Sequence, residues 1–193
     1  YPIGKPVIGR TPDTVAANGT PSASGKWVAV FSNGYFSDNG KATLFVVDLF
    51  TGATLKTFDL QSAGGANGLG APGPFFEDGV LKAVFAGDVK GNLWGVNFAG
   101  SEAEKWTAIG GTQPVFVAKT SGGAVQPIMA SPSVSSFIGG GVQVFFGTGK
   151  LIVDDDRNSE LRNSFYAVQV NDLTNWAGGV QRGALRGTPA SIL

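Results

Sequence analysis

The sequence predicts an all-β protein that forms part of a β-propeller, and three observations carry that expectation. Apolar residues come in short runs separated by glycine-rich punctuation, the signature of strands and tight turns. No window offers an amphipathic helix of three turns. The strand phrases recur: Phe31, Phe85 and Phe146 each close an equivalent run, 54 and 61 residues apart.

Seven strands follow from the apolar runs: Trp27–Phe31, Thr43–Leu49, Leu55–Phe58, Leu81–Phe85, Asn92–Phe98, Val142–Phe146 and Ser164–Val170. A proline-led segment precedes each repeat, at Lys5-Pro6-Val7-Ile8, Gly73-Pro74-Phe75-Phe76 and Ser131-Pro132-Ser133-Val134. Proline lacks the amide proton of a central strand, so these segments suit the innermost strand of a blade. Thr188–Leu193 reads as the start of a fourth repeat. The expected blades span about 5–60, 71–118 and 127–180, with the next starting at 187, all within one partial propeller domain over 1–193. A β-sandwich with coincidental spacing is the competing architecture. Closed propellers have about 4–8 blades. Three blades and a stub are therefore expected to belong to a larger propeller, completed by the same chain or another.

Composition prunes the chemistry. There is no His and no Cys, which removes imidazole bases, thiol nucleophiles, thiolate metal sites and disulfides. Fourteen basic and fourteen acidic residues cancel, against the clustered positive charge that nucleic-acid binding requires. No apolar run approaches the roughly 20 residues of a membrane span. The start at Tyr1, without a signal-peptide pattern, reads as a mature product or an excised piece.

The turn Asp48-Leu49-Phe50-Thr51-Gly52 resembles the outer turn of quinoprotein-like blades. More specifically, the stretch Trp27–Val170 resembles the C-terminal propeller of the PilY1/PilC family of type IV pilus-associated adhesin and biogenesis proteins. The matching phrases run in order: Lys26–Tyr35, Thr43–Leu49 with Thr51-Gly52, Asn67-Gly68-Leu69, Val84–Asp88, Lys90–Trp94, Gln126-Pro127-Ile128, Phe145–Lys150 and Ser164-Phe165-Tyr166. The resemblance implies a non-enzymatic protein at the bacterial cell surface or pilus tip. It also implies roles in pilus assembly, in opposing retraction and in adhesion. Its implied partners are major and minor pilins, the remaining blades, and a host or surface receptor. Integrin-type attachment finds no support, because no Arg-Gly-Asp is present.

Family members carry an Asp-rich calcium loop before the Val84–Asp88 phrase. Here Asp78-Gly79 match its late Asp-Gly pair, the earlier aspartates are absent, and Lys82 stands at the last Asp position. Calcium takes 6–8 oxygen ligands, several from carboxylates on alternate residues. Asp78 is thus a weak metal candidate, and the expectation is no metal, no cofactor and no catalytic residue.

Other motifs have plainer readings. Gly68-Leu69-Gly70-Ala71-Pro72-Gly73 satisfies a dinucleotide pattern but contains a proline and leads into a strand rather than a helix. Gly147-Thr148-Gly149-Lys150 looks like a P-loop, yet Leu151 replaces the required Ser or Thr. Asp154-Asp155-Asp156 reads as a solvated hairpin loop whose consecutive side chains diverge. Asn18-Gly19-Thr20 is a formal glycosylation sequon in a Gly/Ser/Ala/Pro-rich insertion at 11–25, expected inert in a bacterial protein. Trp27, Phe31, Phe45, Phe85, Trp94, Phe146 and Tyr166 are expected to pack between blades. Two other functions compete: a quinoprotein dehydrogenase using pyrroloquinoline quinone and calcium, and a generic interaction propeller.

Overall fold

The computed structural model describes residues 4–37, 40–60, 66–178 and 180–181. The first sheet has the order β1-β4-β5-β6, from β1 (Val7–Arg10), β4 (Trp27–Ser32), β5 (Thr43–Asp48) and β6 (Thr54–Asp59). Between β1 and β4 the chain detours through a small hairpin, β2 (Thr14–Val15) and β3 (Pro21–Ala23). The second sheet holds β7 (Gly73–Glu77), β8 (Val80–Gly87) and β9 (Asn92–Asn97), with β10 (Thr107–Ile109) and β11 (Phe116–Val117) pairing successive halves of β9. The third is β12 (Ser133–Ser136), β13 (Val142–Gly147) and β14 (Phe165–Val170). The consecutive strands of each of these three sheets form an antiparallel meander entered through a short edge strand, the plan of a propeller blade.

All seven expected strands form, within one to two residues of the expected limits. The proline-led segments become the edge strands, with Pro6 and Pro132 just before β1 and β12 and Pro74 inside β7. One strand departs from expectation. β15 (Val180–Gln181) lies parallel to β11 in the second sheet, so residue 180 does not extend the third blade. The proposed start at 187 lies outside the described residues.

Period-two alternation decides what each face covers. Val28 and Val30 of β4 and Leu44 and Val46 of β5 turn toward Val84, Ala86, Trp94 and Val96 of the second sheet, forming one buried cluster. The opposite face of the second sheet presents Ala83, Phe85 and Leu93 to Val142, Val144, Phe146, Tyr166 and Val168 of the third, forming another. Fully burying one such aliphatic or aromatic side chain contributes about 1.5–3 kcal/mol. Phe85 and Trp94 are both buried, but on opposite faces: Ala86 pairs with Trp94, while Phe85 pairs with Gly95. A side chain at Gly95 would collide with the Phe85 ring, its Cβ falling 2.8 Å away.

The outer faces of the first and third sheets have no covering layer among the described residues. On the first, Ile8, Ala29 and Val47 share a row, and the half-buried Phe31 and Phe45 lie 5.6 Å apart beside it. On the third, Phe145 and the exposed Phe165 stack at 6.4 Å. Among the described residues, Trp27, Phe31 and Phe45 therefore depart from the inter-blade packing expected of them: all three lie on the outer face of the first sheet, with Trp27 46% exposed where it opens β4.

Candidate functional site

Asp88, at the end of the β8 phrase, is the most heavily bonded carboxylate of the second blade and is fully buried. One carboxylate oxygen accepts from the backbone amides of Lys90 (2.9 Å) and Asn92 (2.8 Å). The other accepts from Asn67 Nδ2 (3.0 Å), Asn92 Nδ2 (2.9 Å) and Trp94 Nε1 (2.9 Å). Burial pushes the Asp88 pKa up, and the bonds from Trp94, Asn92 and Asn67 pull against it. A ring of N–H donors suits the acceptor-only carboxylate.

The same residue joins both connections around its blade. Asn67 belongs to the segment leading in from the first sheet, and Ile128 N, on the way to the third, donates to the Asp88 carbonyl at 3.0 Å. Leu69 bridges Gly34 and Asp88. Tyr35 Oη donates to Met129 O at 2.7 Å, and burial raises its pKa. A second polar tie, Tyr166 Oη to Gln126 Oε1 at 2.6 Å, anchors the following connection, with Gln126 Nε2 donating to Arg162 O. These groups hold blades together; none presents a nucleophile or base to solvent.

Asp78 sits at the tip of the β7–β8 hairpin, with φ of 52° followed by Gly79 at 76°, a two-residue turn. Its neighbour Glu77 faces the Lys82 ammonium at 3.7 Å. A two-residue turn with two carboxylates and a cation cannot wrap 6–8 oxygens around calcium. The group implied by the resemblance does not fit the residues present. No group of three or more metal-ligating side chains occurs among the described residues.

The acidic run lies in the hairpin loop expected of it, between β13 and β14. Asp154–Asn158 forms a 3-10 turn in the β13–β14 hairpin. Asp156 accepts from the amides of Ile152 (2.8 Å) and Val153 (3.0 Å) and pairs with Lys150 at 2.7 Å. Lys150, then those amides, hold its pKa down to about 2. Asp156 is thus a loop staple, and Lys150 of the P-loop-like phrase is its partner. Gly68–Gly73 leads into β7 and packs tightly: a Cβ at Gly68 would fall 2.2 Å from Gly34 O, and one at Gly73 1.9 Å from Pro132 O. Those glycines serve close backbone approach rather than phosphate binding.

Two features had no signal in the sequence. The β2–β3 hairpin is pinned to the second blade through Thr14 Oγ1, which meets Ser101 Oγ at 2.8 Å and also bonds Glu102. Lys56 of β6 donates to the carbonyls of Ala103 and Trp106, tying the outer strand of one blade to the next. Both contacts join residues more than forty positions apart.

The comparisons with known proteins agree with this plan. The family model of the PilY1 beta-propeller domain matches residues 1–189. The chain belongs to that family. A PilY1 homolog of Xylella fastidiosa, named as a type IV pilus biogenesis factor, is 31% identical over 185 residues, covering 87% of this chain and 12% of the relative. The PilY1 biogenesis factor of Pseudomonas aeruginosa is 37% identical over 157 residues, covering 71% of the chain and 14% of that protein. The crystal structure of the Pseudomonas aeruginosa PilY1 C-terminal domain superposes with a TM-score of 0.77 at 30% identity. It covers 94% of this chain, which in turn spans 40% of that structure. This PilY1-family segment therefore corresponds to a small part of much longer relatives.

Proposed function

We propose that this chain is a blade segment of an extracellular, non-catalytic type IV pilus factor, acting in pilus assembly as a scaffold at the pilus tip. The carrying observation is the conjunction of the family match with two uncovered sheet faces, one of them apolar across Ile8, Ala29, Phe31, Phe45 and Val47. Further blades of the longer protein cover these faces, and the finished propeller meets major and minor pilins. Opposition to retraction and surface adhesion belong to the assembled protein. Three carboxylates support a structural role: Asp88 and Asp156 each cap a turn as described above, and Asp48 does the same by accepting from the amides of Phe50 and Thr51.

The test is complementation in a piliated bacterium lacking its PilY1 relative. The full-length protein restores surface pili, and Phe31→Asp with Phe45→Asp abolishes them by preventing propeller closure. Full piliation by that variant at normal protein level would overturn the reading. Oxidation of alcohols or sugars by the full-length protein, supplied with pyrroloquinoline quinone, calcium and a dye acceptor, would favour a dehydrogenase instead.

A further inference from the structure

We infer that Asn18 is a site of spontaneous, self-acting modification: deamidation through a succinimide, selective for this asparagine over Asn33 and Asn67. All three precede glycine, the residue that least hinders approach of the following amide nitrogen to the side chain. Asn39 also precedes glycine but lies outside the described residues. The selectivity comes from the fold.

Asn18 and Gly19 occupy the exposed tip of the β2–β3 hairpin, and a Cβ at Gly19 would meet nothing within 4 Å. Asn18 Oδ1 accepts from Thr20 Oγ1 at 2.6 Å and from Thr20 N at 3.1 Å. Attack at Cγ puts negative charge on that oxygen, so the two donors stabilise the tetrahedral intermediate as an oxyanion hole does. One exposed bond, Gly19 N to Ala16 O at 2.9 Å, must open to free the nucleophile. At the other two sites the backbone cannot move so readily. Asn33 donates through Nδ2 to Lys41 O and accepts from Thr43 N and Leu69 N. Asn67 is buried against Asp88, and the Gly68 and Gly34 backbones are in close contact.

The reaction needs only water and hydroxide. Hydroxide removes the Gly19 amide proton, the nitrogen attacks Asn18 Cγ, and the Cγ–Nδ2 bond breaks as the nitrogen leaves, protonated by water, as ammonia. Water then opens the succinimide at either carbonyl, giving aspartate or isoaspartate. A chain of zero net charge gains one negative charge. The isoaspartyl product also inserts a methylene into the backbone between the Ala16 and Thr20 pairing groups, which opens the hairpin tip.

The longer protein that contains this chain is purified and incubated near neutral and mildly alkaline pH, then digested with trypsin, which releases Thr11–Lys26 as one peptide. The expected result is a time-dependent gain of about 1 Da in that peptide, split into two chromatographic species. It should form faster at alkaline pH, ahead of any change at Asn33 or Asn67. Asn18→Gln abolishes the gain, and Thr20→Val slows it several-fold; neither alters the core, so folding is retained. A peptide that stays at its original mass, earlier conversion of Asn33 or Asn67, or a glycan mass on Asn18 in protein from the native source would overturn the inference.

Discussion

Replacing Trp94 tests the packing of the first blade against the second. Its side chain is 3% exposed within the cluster formed with Val30, Leu44 and Val46, and its indole N–H is one donor to buried Asp88. Truncating a core aromatic to alanine costs about 3–5 kcal/mol from transfer and cavity terms. Withdrawing one donor from the buried carboxylate adds about 1–3 kcal/mol. Trp94→Ala should therefore fall at or above the upper end of the first range. Trp94→Phe keeps most of the ring and isolates the second, smaller cost. The assay is urea unfolding of the longest soluble form containing the three sheets, followed by far-ultraviolet circular dichroism. A double-mutant cycle with Asp88→Asn should show coupling, because the two side chains are bonded directly. A loss below about 1 kcal/mol for Trp94→Ala would refute the assigned facing of β9.

Other outcomes follow from the same geometry. Gly73→Ala, whose Cβ would overlap Pro132 O, should destabilise the β7–β12 approach by about 1–3 kcal/mol in thermal unfolding, and an unchanged melting temperature would contradict it. Calorimetric titration should show no stoichiometric micromolar calcium site at the β7–β8 hairpin; such a site, lost on Asp78→Asn, would show the coordination argument to be wrong. The Asp156 staple has a depressed pKa, so its contribution is present above the ordinary aspartate value of 3.8 and is lost as pH falls through about 2. Proteolysis of the 150–160 loop should therefore rise across that acid range, and Lys150→Met should move the onset to higher pH.

Strands with strict alternation were legible because one face of each is buried and the other is not: Val28 and Val30 announce β4, and Val142, Val144 and Phe146 announce β13. The short strands β10, β11 and β15 carry no such signal, since two or three residues cannot display a period. Trp27 shows the limit of that signal: the apolar run predicts the strand, while parity decides the face and puts Trp27 with Phe31 on the outer one. The Asp88 cluster was visible only as a phrase, because its donors come from positions 67 to 94 and converge only after folding. Likewise, consecutive aspartates do not reveal that Asp156 alone folds back on Ile152 and Val153.

The central claim is that these three sheets are an arc of a larger propeller whose outer faces require covering. Sedimentation velocity and small-angle scattering on the isolated 193-residue chain, alongside the longer protein, test it most directly. The account predicts that the isolated chain associates or expands, because the Phe31–Phe45 face stays open to solvent, while the longer protein is compact and monodisperse. A compact, cooperatively unfolding monomer of the isolated chain, with no tendency to associate, would contradict it.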